Sequence, residues 1–454
     1  MNSSRAVCLW LSCFIAFEPF GYLSNGASAQ DPVDTAHLAL RDREFGWSQK
    51  SRSVTVSQHG MIATSEPKAS LVGLEVLRNG GNAIDAAIAT NAMLSVVEPF
   101  NCGLGGDLFA IVWDAKSQQL YGLNASGRSP LLLNRSVFEA QNLTQIPTRG
   151  PMSWSVPGCV SGWEALHTKF GSVPVENLLR PAIQTARDGF AVSEVIAGYW
   201  KSAEAELLKH PESAQVFLVD GKRAPQRGEI FRNPVYADTL ERLSKEGLAS
   251  FYTGEIAKRI VGYSKTSRGS FTLDDFTAHK ADWVQPVSVN YRGYDVWELP
   301  PNGQGLTVLQ MLNILKQFDL SKLGPGHPEF LHLFVEAKKL AYADRAKYYA
   351  DPAFSKVPIP WLVSEEYARQ RARLINQNLA AQNVAAGDES ISQGDTIYLT
   401  VVDKDRNCCS LIQSTYLAFG SAMVPPQLGF AIQNRGSLFS LQPEHANALE
   451  PGKR

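Results

Sequence analysis

The residues with the clearest chemical potential are Gly394, Asp395 and Thr396. A threonine hydroxyl is a poor nucleophile at neutral pH unless a base takes its proton. A cut between Asp395 and Thr396 would place that base on the same residue. The freed α-amine has a reference pKa of about 7.7–8.0, so roughly a tenth to a fifth of it is unprotonated at pH 7. This is the threonine form of an activated nucleophile. The left flank suits a cut. Residues 376–395 hold three large apolar side chains, Leu379, Val384 and Ile391, among Asn, Gln, Ala, Gly, Ser, Asp and Glu. Such a composition buries too little surface to order itself. From Thr396 to Val402 the residues are β-branched, aromatic or leucine, and read as a core strand. Without a cut, the same residues describe a loop entering a strand, with threonine where strands favour it.

Other chemistry is thinner. Gly103, Gly105 and Gly106 lack the following helix and the Lys-Ser/Thr of a phosphate loop, so they read as a turn where backbone approaches backbone. Cys102, Cys159, Cys408 and Cys409 have no metal spacing and form no disulfide framework; adjacent Cys408 and Cys409 would point to opposite faces of a strand. They read as small buried residues. The chain has 454 residues, 44% hydrophobic and 19% charged, with formal charge −1. This is ordinary globular composition, and without a Lys/Arg-rich run nucleic acid is excluded as a partner.

The elements that must position the threonine alternate between α and β. Pro67 starts a helix that Asn79, Gly80 and Gly81 stop. A second helix over 83–97 is apolar nearly all round and so is buried on most sides. A strand over 108–113 follows. Helices are expected over 161–170, 306–317 and 329–349, and another with the apolar face Leu178, Leu179, Ala182, Ile183 and Ala186. Residues 273–276 and 291–294 read as strand and turn, and 300–305 as a loop. At the N-terminus a short basic start, an apolar run over 6–17 and Ala27-Ser28-Ala29 match a secretory signal peptide of residues 1–29. The rival is an uncleaved signal anchor. A polar lead-in covers 30–56. Asn124, Asn134 and Asn142 head glycosylation sequons.

Several stretches together resemble the γ-glutamyltransferase (glutathione hydrolase) family. They are residues 80–89 (GGNAIDAAIA), 103–106 (GLGG), 156–158 (VPG), 178–183 (LLRPAI), 188–190 (DGF), 336–345 (EAKKLAYADR) and 395–403 (DTIYLTVVD). They follow the family's order and cover about 57 to 454. The resemblance implies an N-terminal-nucleophile hydrolase fold, a four-layer αββα sandwich of mixed α and β structure. It implies a proenzyme that cuts itself between Asp395 and Thr396, giving a large chain from 57–395 and a small chain starting at 396. The Thr396 hydroxyl would attack the Asp395 carbonyl, and later a substrate amide. The acyl group would then pass to water or to an amine. The implied partner is a small-molecule amide, with glutathione or another γ-glutamyl amide as the default, and no metal or cofactor is implied. Location would be secreted or periplasmic.

The departures sharpen the expectation. Ser414 matches the family's second threonine and keeps a hydroxyl to bond Thr396. Tyr416 replaces an asparagine. Ser126 stands where the family's carboxylate-clamping arginine is expected, with Arg128 two residues on. Arg128 reads as a substrate-binding residue or as a solvated loop arginine. Leu438 replaces the acidic residue that receives the substrate amine, and Arg435 replaces a glutamine. Asn302, Gly303, Gln304 and Gly305 replace a serine-rich loop. A site with an added arginine and no amine acceptor resembles the branch that includes oxamate amidohydrolase and cephalosporin-acylase-like enzymes. Arg128 and Arg435 are then the candidates to meet a substrate carboxylate, as guanidinium does bidentately. The family's paired oxyanion-hole glycines lie beyond residue 454, so a catalytically inactive, truncated member is a further expectation.

Overall fold

The structure, a computed structural model, describes residues 55–324, 326–382, 384 and 395–454. The expected signal peptide, nearly all of the lead-in and most of the polar stretch before Thr396 lie outside these residues. The strands are β1 (Gly60–Ala63), β2 (Asp107–Asp114), β3 (Gln119–Ala125), β4 (Phe190–Ala191), β5 (Ile230–Phe231), β6 (Asp282–Val284), β7 (Val287–Tyr291), β8 (Tyr294–Glu298), β9 (Asp395–Asp403) and β10 (Cys408–Tyr416). Six of them form one antiparallel sheet in the order β1-β9-β10-β2-β3-β6. The strand headed by Thr396 is therefore internal, with β1 on one side and β10 on the other.

Alternation along β9 sets its two faces. Ile397, Leu399 and Val401 are buried in the main core, while Tyr398, Thr400 and Val402 are half-buried on the opposite face. The core face packs on helix α2 (Ala83–Val97), in which every residue is buried. Helix α1 (Pro67–Arg78) lies beside it. Glu66 caps α1, its carboxylate accepting the Lys68 N–H at 2.6 Å. A reciprocal cap of Asn82 and Asp85 starts α2.

The start of α2 also holds the far end of β9. Asp403 Oδ2 accepts the Ala83 N–H at 3.1 Å, and an anionic side chain is favoured at a helix N-terminus. The same carboxylate closes the β9–β10 turn, accepting from the N–H groups of Asp405 and Asn407, both at 2.9 Å. The motif over 80–89 and the last residue of the 395–403 motif are thus two halves of one junction.

Two further sheets among the described residues are two-stranded, β4–β5 and the hairpin β7–β8; the helix Gly305–Leu315 packs against the hairpin, with Pro328–Tyr348 beyond it. The loop between β8 and this helix crosses the Thr396 face. Phe109, Ile412 and Tyr398 pair in register across β2, β10 and β9, and Gly303 lies over Phe109.

Residues 273–276 are not strand and turn but the short helix Leu273–Thr277, because Thr272 and Asp275 form a capping box. The glycines at 105 and 106 are close-approach positions. A Cβ on Gly105 would lie 2.0 Å from the Ala431 carbonyl oxygen, and one on Gly106 2.4 Å from that of Ser414. No helix among the described residues is long and apolar enough to cross a membrane.

Candidate active site

Thr396 is the second residue of β9, opposite an irregularity in β10. Gln413 pairs with Ile397, but the next register pair is Tyr416 with Asp395. Ser414 and Thr415 therefore share the space opposite Thr396, as in a β-bulge. The extra residue re-aims Ser414. Its Oγ accepts from the Thr396 hydroxyl at 3.1 Å and from the Tyr416 N–H at 2.8 Å. Tyr416 reaches this position with φ of +81°, a left-handed conformation that a bulky residue rarely adopts. Backbone strain of this kind concentrates at functional sites.

Arg435 opens a short 3-10 turn, Arg435–Leu438. Its Nε donates to Asp107 Oδ2 at 2.6 Å, and its guanidinium carbon lies 5.2 Å from the centre of the Tyr416 ring. Asp107, in turn, is the β2 residue that pairs with Ser414. Arg435 is thus linked to the threonine's surroundings twice, through Asp107 beside Ser414 and through Tyr416 beside Asp395. Asp107 is almost fully buried. Its Oδ1 accepts the Gly127 N–H at 2.6 Å and the Gln433 side-chain amide at 2.7 Å. Burial raises the Asp107 carboxyl above the ordinary carboxylate range; Arg435, Gln433 and the Gly127 N–H pull it back in part.

Arg128 sits differently. Its Nη2 pairs with Asp282 at 3.3 Å, and its Nη1 lies 3.7 Å from Asp351 and donates to the Gly452 carbonyl at 3.2 Å. Ser126 is buried, with its hydroxyl bonded to Asn124 Oδ1 at 2.7 Å. Asn302 joins them, accepting from Asn124 Nδ2 at 2.7 Å and donating to Ser126 Oγ at 3.0 Å. The loop over 302–305 is thereby tied to the end of β3. Burial of Asn124 in this network removes its sequon from the surface, whereas Asn134 and Asn142 are exposed. Leu438 is half-buried, and its carbonyl accepts from Asn447 at 3.0 Å. Among the described residues the carboxylate bonded to Arg435 is that of Asp107, which is already committed to three donors.

Sequence reasoning assigned no role to Asp107 or Gln433. Asp107 had a signal: it opens a strand whose next six residues are apolar, and a charge buried at such a place needs partners. Gln433 had none.

An antiparallel sheet covered by helices, with β9 internal, fits the N-terminal-nucleophile hydrolase fold of its solved structural neighbours. Residues 69–454 match the gamma-glutamyltranspeptidase family, and the chain belongs to it. The chain is similar to the glutathione hydrolase-like YwrD proenzyme of Bacillus subtilis strain 168, at 39% identity over 396 residues, spanning 87% of this chain and 74% of that protein. It is 36% identical over 408 residues to the oxamate amidohydrolase proenzyme of Klebsiella pneumoniae, spanning 88% and 75% of the two chains. Among solved structures, the cephalosporin acylase from Bacillus halodurans matches with a TM-score of 0.83 at 40% identity, covering 91% of this chain and 76% of that one.

Proposed function

We propose that the protein is a self-processing threonine amidohydrolase or acyltransferase whose acyl substrate carries a carboxylate. Thr396 is the nucleophile, first toward the Asp395 carbonyl and then toward a small-molecule amide. Ser414 receives the hydrogen bond that orients the threonine oxygen. Arg435 meets the substrate carboxylate. Arg128, already held by Asp282 and Asp351, carries less of that recognition. The observation behind the reading is that a partly exposed arginine is joined to the surroundings of the Thr396–Ser414 pair through Tyr416 and through a buried, fully engaged Asp107 that pairs in register with Ser414. An ammonium placed beside Arg435 would meet a like charge, with the Asp107 carboxylate behind it already taken by three donors, and burying an unpaired charge is costly.

A γ-glutamyl group, as in glutathione, is the second reading. It also has a carboxylate, and the chain is 31% identical to the glutathione hydrolase proenzyme of Escherichia coli. A matched pair of anilides separates the two. One carries γ-glutamyl, the other glutaryl, which lacks just the amine. On the processed protein the two kcat/KM values should agree within about tenfold, or about 1.4 kcal/mol, and Thr396→Ala should stay uncut and inactive on both. A γ-glutamyl preference of several hundredfold would establish the second reading instead. Thr396→Ala protein that is still cut at the same bond would remove Thr396 from processing.

A further inference from the structure

We propose that Asp107 and Tyr416 are positioning residues that aim Arg435, and that this three-residue unit sets selectivity for a carboxylated acyl group. The inference rests on the assignment of Arg435 made above and goes one step behind it. A guanidinium on a long side chain has many rotamers, and a free one loses substantial entropy when it grips a ligand. Here it is held in two independent ways. Its edge is fixed by the Nε bond to Asp107 at 2.6 Å. Its face lies 5.2 Å from the Tyr416 ring, within the range of a cation–π contact. Both holders are anchored. Asp107 is buried and accepts from Gly127 and Gln433 as well. Tyr416 is 6% exposed and locked by the bulge.

What remains is the end of the guanidinium. Nη1 and Nη2 donate to no acceptor among the described residues, and the Arg435 side chain is 28% exposed. Two parallel N–H groups at the end of a fixed, planar cation match a carboxylate bidentately. Tyr416 has a second task through its backbone, since its N–H donates to Ser414 Oγ, the acceptor of the Thr396 hydroxyl. The same strained residue therefore fixes both the nucleophile's partner and the cation. The distance between the reacting carbonyl and the bound carboxylate is then set by paired residues of β10 and β2, with Tyr416 acting on both ends.

The test uses the processed protein and two anilides, glutaryl and valeryl, which differ by a carboxylate against a methyl group. The reading is the ratio of their kcat/KM values. A second reading is the affinity for glutarate alone, measured by calorimetry, which needs no turnover. Arg435→Leu should bring the ratio close to one and abolish glutarate binding. Tyr416→Leu and Asp107→Asn should each lower the ratio and weaken glutarate binding by about tenfold, with the loss in KM rather than in kcat. Tyr416→Phe keeps the aromatic face and should stay within about threefold of the parent. If Arg435→Leu leaves the ratio unchanged, the assignment of Arg435 itself is wrong. If Arg435→Leu collapses the ratio while Tyr416→Leu and Asp107→Asn keep it within twofold, Arg435 recognises the carboxylate but these residues do not aim it. Should Tyr416→Leu fail to fold, a Tyr416→Phe variant as impaired as Arg435→Leu would overturn the role of the ring.

Discussion

At the scale of single residues, the polar groups that folding leaves without partners carry consequences of their own. His279 is 4% exposed, stacks on Tyr252 at 5.4 Å between ring centres, and neither ring nitrogen has a hydrogen-bond partner among the described residues. Burial, with smaller contributions from the Arg454 and Arg128 guanidinium groups, lowers its pKa to about 3. In the unfolded chain the same ring titrates near 6.5. The folded state thus favours the neutral ring, and the unfolded state takes up the proton first as pH falls. Its contribution to stability is complete above pH 6.5 and is lost on acidification toward pH 3, at up to about 1.4 kcal/mol per pH unit. Between pH 6.5 and 4.5 this one ring should account for roughly 2–3 kcal/mol. His279→Phe, which keeps a flat ring against Tyr252, should shrink the pH-dependent loss by that amount in urea unfolding measured at the two pH values. An equal loss in both proteins would show that His279 is not held neutral.

At the scale of elements, the chemistry depends on β9 being gripped at both ends. Its N-terminal end meets the bulge of β10, and its C-terminal end meets α2 through Asp403. The Asp403 carboxylate accepts four hydrogen bonds, from the N–H groups of Ala83, Asp405 and Asn407 and from the Asn407 amide at 2.9 Å. Asp403→Ala leaves these donors behind in a site where Asp403 itself is 4% exposed. The expected loss is about 3 kcal/mol or more, given about 1.5–3 for each bond to a charged group and incomplete additivity. Asp403→Asn, which retains one acceptor oxygen, should lose less. Urea unfolding decides it, and an Ala variant within about 0.5 kcal/mol of the parent would mean that the junction is not a stabilising one. The elements themselves were unevenly legible in the sequence. The span of α2 was legible because a run apolar nearly all round, ended by Glu98-Pro99, reads as a buried helix, and the structure places it at Ala83–Val97. The strand at β9 was readable from its β-branched run. The helix Leu273–Thr277 was not: five residues are too few for periodicity, and its cap, Thr272 with Asp275, was the one available sign. Legibility fell further in the site. Thr396, Ser414 and Arg435 could be singled out by comparison with a family pattern. The pairing of Arg435 with Asp107 spans 328 positions and is closed by strand register, which no local pattern encodes.

At the scale of the whole molecule, strand order bears on what a cut before Thr396 would do. The residues after the cut do not form a separate unit. β9 pairs with β1 from Gly60–Asp403 to Ala63–Thr400, and β10 pairs with β2 from Cys408–Trp113 to Ser414–Asp107. Ile397, Leu399, Val401, Cys409 and Leu411 are buried in the same core as α2. Each large aliphatic side chain there contributes about 1.5–3 kcal/mol of burial, and both ladders would have to break before the small chain could leave. Cutting one peptide bond removes none of these interactions. The two chains should therefore stay together as one particle. If the expected signal peptide over residues 1–29 is removed and the chain cuts itself before Thr396, protein recovered from the medium or periplasm will run as a single species on gel filtration. Under denaturing conditions it will separate into two chains, with N-termini just after Ala29 and at Thr396. Small chain eluting alone under native conditions would contradict the account of the sheet. A single N-terminus at Met1 in a membrane fraction would favour the uncleaved anchor. Two chains held in one particle, with the amine of Thr396 at the head of an internal strand, is the state in which the site would be competent for a substrate amide.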